Sequence, residues 1–427
     1  MKQKTIALFS VIMLIMGTPT IAEKTEAVVG GHNNTIYHNQ HWGENIISRR
    51  PPLNINQELI TANNKFGFKL FFAIWEKGKK ENIFISPNSI AIALEMLYNG
   101  ASGATKEEMT QALFLQELSL EEINQANQEL RQALQNADPN VQLAIANSLW
   151  ARKGITFNDQ FLANNQNFYE AKITDLDFNE PDAKNIINQW VTEATRNKIT
   201  EIIDEITPED VLFIINALYF KGNWTYQFQE SNTTEKPFYV SQGIIQQHLM
   251  MSRSGEYRYY ENEQFQAISL PYGQEKLSMY IFLPRENSDL DTFISNISPE
   301  KWQDWLSQFQ KKSGLIEIPK FDLEYEIELR NILGGLGMIS MFNPEKADFS
   351  LMTPEQVKVD QVKHKTFLEV NEKGTEAAAV TSIGIRTTSF DPTPPFEMIV
   401  NRPFFCAIQD NQTGTILFMG AIRELRD

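Results

Sequence analysis

Few side chains of this 427-residue chain suit covalent or acid–base chemistry: it has five histidines and one cysteine. His32, His38 and His41 could ligate a metal. They sit in an Asn- and Gly-rich arm, where such a cluster is more often incidental, and no metal or other cofactor is expected. Cys406 can form no intrachain disulfide and lies in the apolar run 404–408, where it reads as buried and inert. No GxSxG elbow and no HExxH motif occurs. A secreted hydrolase is therefore a rival that only geometry could rescue, because triads are recognised by geometry rather than order. The chain does not read as an enzyme, and no catalytic residue is assigned.

The segment that stands out is 369–404. From Thr375 every second residue is uncharged: Thr375, Ala377, Ala379, Thr381, Ile383, Ile385, Thr387. The interleaved set is Glu376, Ala378, Val380, Ser382, Gly384, Arg386, and it holds both charges. Period two reads as a strand with one buried face. Against that, the run Glu376 to Ala379 favours helix, and the Pro-rich tail Asp391 to Pro395 is typical of an exposed loop. The reading is an exposed loop that can later become a central strand. A surface linker with a chance pattern is the plainer alternative.

The elements that must hold such a segment follow from the rest of the chain. After Asn56 the pattern turns helical, with Phe66, Leu70, Phe71 and Ile74 on one face. A short strand at 82–86 meets a Ser-Pro turn and a buried helix that stops near Gly100. Residues 121–134 read as an acidic amphipathic helix, 141–150 as a strand and 185–203 as a helix. Val211 to Phe228 is a long apolar strand broken at Lys221-Gly222, as central strands covered on both faces are. Pro271-Tyr272-Gly273 is a hairpin candidate, 299–309 a helix, and 314–329 contains one strand. Gly334, Gly335 and Gly337 lack the spacing of a dinucleotide loop and read as packing glycines in a short helix. The chain closes on a hairpin of 404–408 and 415–422.

Composition bounds the partners. A net charge of −16 argues against nucleic acid, heparin-like polyanions and anionic membranes. Residues 1–22 read as a secretory signal: Lys2 and Lys4, an apolar run 6–16, then Thr20-Ile21-Ala22 for cleavage. The protein is expected outside the cytoplasm, extracellular or periplasmic. Residues 23–55 read as a flexible extension, and 56–427 as one domain.

Residues 372–379 (EKGTEAAA) resemble the hinge of the serpins, the serine-protease-inhibitor superfamily. Four further motifs, in order, carry the likeness across 56–427: NIFISPNSI, INQWV, NALYFKGNW, and NRPFFCAI with GTILFMGAI. The resemblance implies one α/β (α+β) domain of three β-sheets and eight to nine helices, with an exposed reactive-centre loop at about 372–396. It also implies a secreted suicide inhibitor of serine, or cysteine, endopeptidases that traps the acyl-enzyme when its cleaved loop enters the central sheet. Serpins are themselves the standing example of such strand insertion. The alternative within the family is a non-inhibitory carrier, chaperone or storage protein. The partner would be a target protease, and the inhibitor a monomer.

The resemblance also assigns residues. The hinge is Glu372, Lys373, Gly374, Thr375, Glu376, Ala377, Ala378, Ala379, Val380 and Thr381, and its small inward positions favour an inhibitor. Ser86, Ser89, Asn216 and His364 resemble the shutter beneath the central sheet. Trp224, Lys320 and Glu372 resemble the breach where insertion starts, with Lys320 and Glu372 expected to form an ion pair. The scissile bond is expected at Thr388-Ser389, which suits elastase-like enzymes. Arg386-Thr387, which suits trypsin-like ones, is the alternative.

Overall fold

The computed structural model describes residues 55–78, 81–135, 138–241, 243–375 and 394–425. The expected signal, the three arm histidines and all of the expected extension except residue 55 lie outside them. In chain order the elements are α1 (Gln57–Lys77), β1 (Ile83–Ile85), α2 (Pro87–Tyr98), α3 (Gly103–Ala112), α4 (Leu120–Gln135), β2 (Val141–Arg152), α5 (Asp159–Asn164), β3 (Lys172–Leu176), α6 (Ala183–Ala194) and β4 (Leu212–Asn223). Then follow β5 (Thr233–Ser241), β6 (Ile244–Glu261), β7 (Phe265–Tyr272), β8 (Leu277–Pro284), α7 (Leu290–Asn296), α8 (Pro299–Ser307), β9 (Gln310–Pro319), β10 (Phe321–Glu328) and α9 (Arg330–Gly335). The last are β11 (Gln361–Val370), β12 (Gly374–Thr375), β13 (Phe396–Ile399), β14 (Phe404–Asp410) and β15 (Ile416–Ile422). A π-helical turn, Asn165–Tyr169, follows α5.

Local chemistry sets the ends of these elements. Asn56 caps α1 by accepting from the Glu58 N–H at 2.8 Å. Pro87 opens α2 at a position where its missing N–H costs nothing. The helix expected over 185–203 ends at Ala194, because side chains there take over backbone partners. Thr195 Oγ1 accepts from the Ile199 N–H, Asn188 Oδ1 accepts from the N–H groups of Ile202 and Ile203, and Arg196 and Asn197 turn left-handed. The single strand expected in 314–329 is two, β9 and β10, which part at Lys320 and join different sheets.

Two hydrogen-bonded arrays result. The six-stranded sheet runs β10-β11-β4-β2-β3, with β12 also on β4. The nine-stranded array runs β1-β15-β14-β8-β7-β6-β9-β13, with β5 on β6. The expected third sheet is continuous with this second array, because β6 pairs β5 along its first half and β7 along its last residues.

Strand β4 is the buried centre of the six-stranded sheet. One face puts Leu218 and Phe220 between the two arrays, and Leu212 and Ile214 into the core shared with α2. The other face puts Phe213, Ile215 and Ala217 against Ile187 and Val191 of α6. Full burial of each large side chain contributes about 1.5–3 kcal/mol. Two-sided burial explains the unbroken apolar run. The break expected at Lys221-Gly222 is absent, because β2 pairs with both residues and β12 pairs with Gly222. Pro52–Asp427 form one compact unit.

Candidate functional site at the mouth of the central sheet

In the six-stranded sheet β11 lies parallel to β4, from Gln361 opposite Phe213 to Phe367 opposite Tyr219. Beyond Val370 the chain reverses. Asn371 donates to the Gly374 carbonyl at 2.8 Å and Gly374 donates back at 3.2 Å. Gly374 and Thr375 then run antiparallel on β4, opposite Asn223 and Gly222. The turn needs glycine: φ of Gly374 is +139°, and a Cβ there would lie 2.2 Å from the Gly222 carbonyl oxygen. β12 thus pairs with β4 just beyond the last β4–β11 pair, Tyr219 with Phe367.

The reversal is clamped from the side. The Trp224 N–H donates to the Lys373 carbonyl at 3.0 Å, the Phe228 N–H to the Glu372 carbonyl at 2.8 Å, and the Trp224 indole to the Asn371 carbonyl at 3.0 Å. Trp224 is buried and stacks on Tyr272 with ring centres 4.4 Å apart. The Lys320–Glu372 ion pair forms, Nζ to Oε2 at 3.3 Å, with a buried carboxylate and a lysine 43% exposed. Glu372 Oε1 accepts from Thr233 Oγ1 at 2.8 Å. Burial pushes the Glu372 carboxyl up. Hydrogen bonds from its own backbone and Thr233, then Lys320, outweigh that and hold its pKa below the ordinary range.

Below the turn, polar groups cross the buried sheet. Asn147, Asn216 and His364 are register partners on β2, β4 and β11 and so share one face. His364 Nδ1 donates to Asn216 Oδ1 at 2.6 Å, and its Nε2 accepts from the Ser86 N–H at 3.1 Å. The Asn216 amide donates to the Ser89 hydroxyl and to Asn147 Oδ1. One donor and one acceptor are what a neutral imidazole offers. Burial holds the His364 pKa down to about 3, against a smaller upward pull from Asn216. Protonation would set an Nε2–H against the Ser86 N–H.

Ser86, Ser89, Asn216 and His364 therefore meet in one network, and Trp224, Lys320 and Glu372 in another. Glu372, Lys373, Gly374 and Thr375 of the hinge lie at the mouth itself. Glu376 to Thr381, Arg386, Thr387, Thr388 and Ser389 lie outside the described residues. Sequence reasoning missed Asn147, Thr233 and Asn371. Of these, Asn147 carried a signal, a polar residue inside the apolar run 141–150. Cys406 is buried, and burial pushes its thiol up to about 12, which leaves it inert. Among the described residues, no group of three or more His, Cys, Asp or Glu could hold a metal ion, and no helix is long and apolar enough to cross a membrane.

Residues 61–425 match the family model described as Serpin (serine protease inhibitor). An uncharacterized serpin-like protein of Methanosarcina acetivorans is 35% identical over 374 residues, covering 86% of each chain. The leukocyte elastase inhibitor of Homo sapiens is 34% identical over 380 residues, covering 85% of this chain and 98% of its own. Among solved structures, the native state of the thermophilic serpin tengpin superposes with a TM-score of 0.80 at 32% identity, over 88% of this chain and 96% of the other. The chain belongs to the serpin family.

Proposed function

We propose that this protein is a secreted suicide inhibitor of serine endopeptidases. The observation that carries the reading is the β11–β12 reversal: a strand begun on β4 while β4 and β11 are still each other's neighbours. A protease that attacks the loop forms an acyl-enzyme. Cleavage frees the hinge side, which continues β12 downward between β4 and β11.

The register of β12, Gly374 opposite Asn223 and Thr375 opposite Gly222, supports this reading. Continued in that register, the inserted loop would bring Ala377 opposite Phe220, Ala379 opposite Leu218, Thr381 opposite Asn216 and Ile383 opposite Ile214. Small residues thus enter where β4 is bulky, and Thr381 arrives between Asn216 and His364, whose hydrogen bond must open. A hydroxyl can donate to one and accept from the other, so the buried polar groups are re-paired rather than orphaned. Each new ladder hydrogen bond nets roughly 1 kcal/mol, and each isoleucine buried adds about 1.5–3 kcal/mol. About a dozen residues at roughly 3.3 Å each would carry the attached protease some 40 Å. Distorting its oxyanion hole stalls deacylation. The uncut protein is then a kinetic trap.

The test is a panel of serine proteases incubated with the purified protein and run on a denaturing gel. A covalent complex with at least one enzyme is expected. Cleavage without complex, against every enzyme, would instead favour the carrier or storage reading. Mass spectrometry of the released C-terminal fragment identifies the bond, with a fragment starting at Ser389 expected after an elastase-like enzyme and one starting at Thr387 marking the trypsin-like alternative.

A further inference from the structure

Helix α2 carries one charged residue, Glu95, and it is fully buried. It faces a polar cluster built by α4 and the π-helical turn after α5. The Asn127 Nδ2 donates to Glu95 Oε2 at 2.7 Å, and also faces the Ile123 carbonyl at 3.0 Å and the Tyr169 hydroxyl at 3.4 Å. The Tyr169 hydroxyl donates to Asn124 Oδ1 at 2.7 Å, and Asn124 and Asn99 exchange amide hydrogen bonds at 2.9 Å. Two acceptors of the central pair, Glu95 Oε1 and Asn127 Oδ1, have no donor. A proton on Glu95 Oε1 would turn one of these two acceptors into a donor and remove the charge. An ionised Glu95 would leave a buried charge with no cation beside it, a costly arrangement.

The surrounding charges do not change that balance. On α4 the one cation, Arg131, is engaged by Glu170 of the chain beyond the π-helical turn at 2.7 Å, and no charge of α4 acts on Glu95. The turn itself brings Tyr169, whose own pKa is driven up by burial and then by Glu95. From α1, β2, β4 and β15, which also pack on α2, no charged group acts on Glu95. Burial, opposed only by the Asn127 hydrogen bond, raises the Glu95 pKa to about 7.

The same helix reaches the shutter. Ser86 and Ser89, at its start, bond His364 and Asn216. Ser89 lies six residues before Glu95, roughly 9 Å along a helix axis. We propose that Glu95 and Asn127 form a proton-binding centre that sets how firmly α2 is held to α4 and, through α2, how readily β4 and β11 part. The second half rests on the strand-insertion reading above.

The sign follows from linkage. Below the ordinary carboxyl range, folded and unfolded chains both hold the proton and Glu95 costs nothing. As pH rises from about 4.5 to about 7 the unfolded chain releases it first, so the fold loses stability. Above about 7 the loss is complete. Glu95→Gln keeps the shape and presents a donor at every pH. The melting temperature of the uncut wild type should therefore fall below that of Glu95→Gln increasingly between pH 5 and 7.5. Parallel curves would overturn the centre. If Glu95→Gln does not fold, carbon-13 carboxyl titration of the wild type decides: one glutamate with a midpoint above pH 6 supports the centre, and all midpoints below 5 overturn it. For the coupling, the rate of covalent complex formation, wild type over variant, should rise at least threefold from pH 6 to 8; a flat ratio overturns it. If no protease forms a complex, the insertion reading fails, and the melting curves still test the centre.

Discussion

His364 shows how much one buried side chain constrains this site. Its single donor and single acceptor are both used, so the neutral ring fits and the cation does not. The folded pKa lies near 3, against 6.5 for a free histidine. Its stabilising contribution is whole above pH 6.5, falls as pH drops from 6.5 to 3, and falls no further below that. Each pH unit in that window costs about 1.4 kcal/mol. His364→Gln, which cannot be protonated, should flatten the acid limb of urea unfolding midpoints between pH 6.5 and 4 relative to wild type; equal slopes would contradict the assignment. At Gly374 a side chain meets both a left-handed backbone and the Gly222 carbonyl. Gly374→Ala should slow complex formation at least tenfold and lower the uncut melting temperature by several degrees, read by stopped-flow and calorimetry. Lys320→Ala should cost on the order of 1 kcal/mol in urea unfolding, because the ammonium is 43% exposed but the Glu372 carboxylate it leaves behind is buried. At this scale motif likeness made Ser86, Ser89, Asn216, His364, Trp224, Lys320 and Glu372 legible. Asn371 and Thr233 were not, because Asn371 acts through a backbone reversal that receives the Trp224 indole, and Thr233 through a strand edge that only the folded chain brings beside Glu372.

At the scale of elements, legibility followed burial. β4 and the β14–β15 hairpin announced themselves as apolar runs because they are covered on both faces. At Lys320 the alternation changes phase, from apolar Ile316 and Ile318 to Phe321, Leu323 and Tyr325, but the pattern does not say which array each half joins, and β9 and β10 leave for different ones. The early end of α6 was hidden because Thr195 and Asn188 compete for backbone groups only once the following segment folds back. The β12 register gives this scale its own prediction. Ala377 would enter opposite Phe220, in the core between the arrays. Ala377→Arg places a charge there and should turn the inhibitor into a substrate, cleaved at an unchanged rate but with complex yield on the gel falling to near zero. An unchanged yield would contradict the register.

For the whole molecule, the nine-stranded array and the helices frame a central sheet in which β12 pairs with the end of β4. The fold class was legible because five motifs spread over the chain point to one architecture. The continuity of two expected sheets through β6 was not, since pairing partners are not written into a single strand. The account's central claim is that the sheet has room for one more strand and gains stability when it receives it. The most direct test is to nick the purified protein once between residues 376 and 393 and compare melting temperatures before and after. The account predicts a rise of at least 20 °C in the nicked protein. An unchanged or lower value would mean that β4 and β11 do not admit the loop.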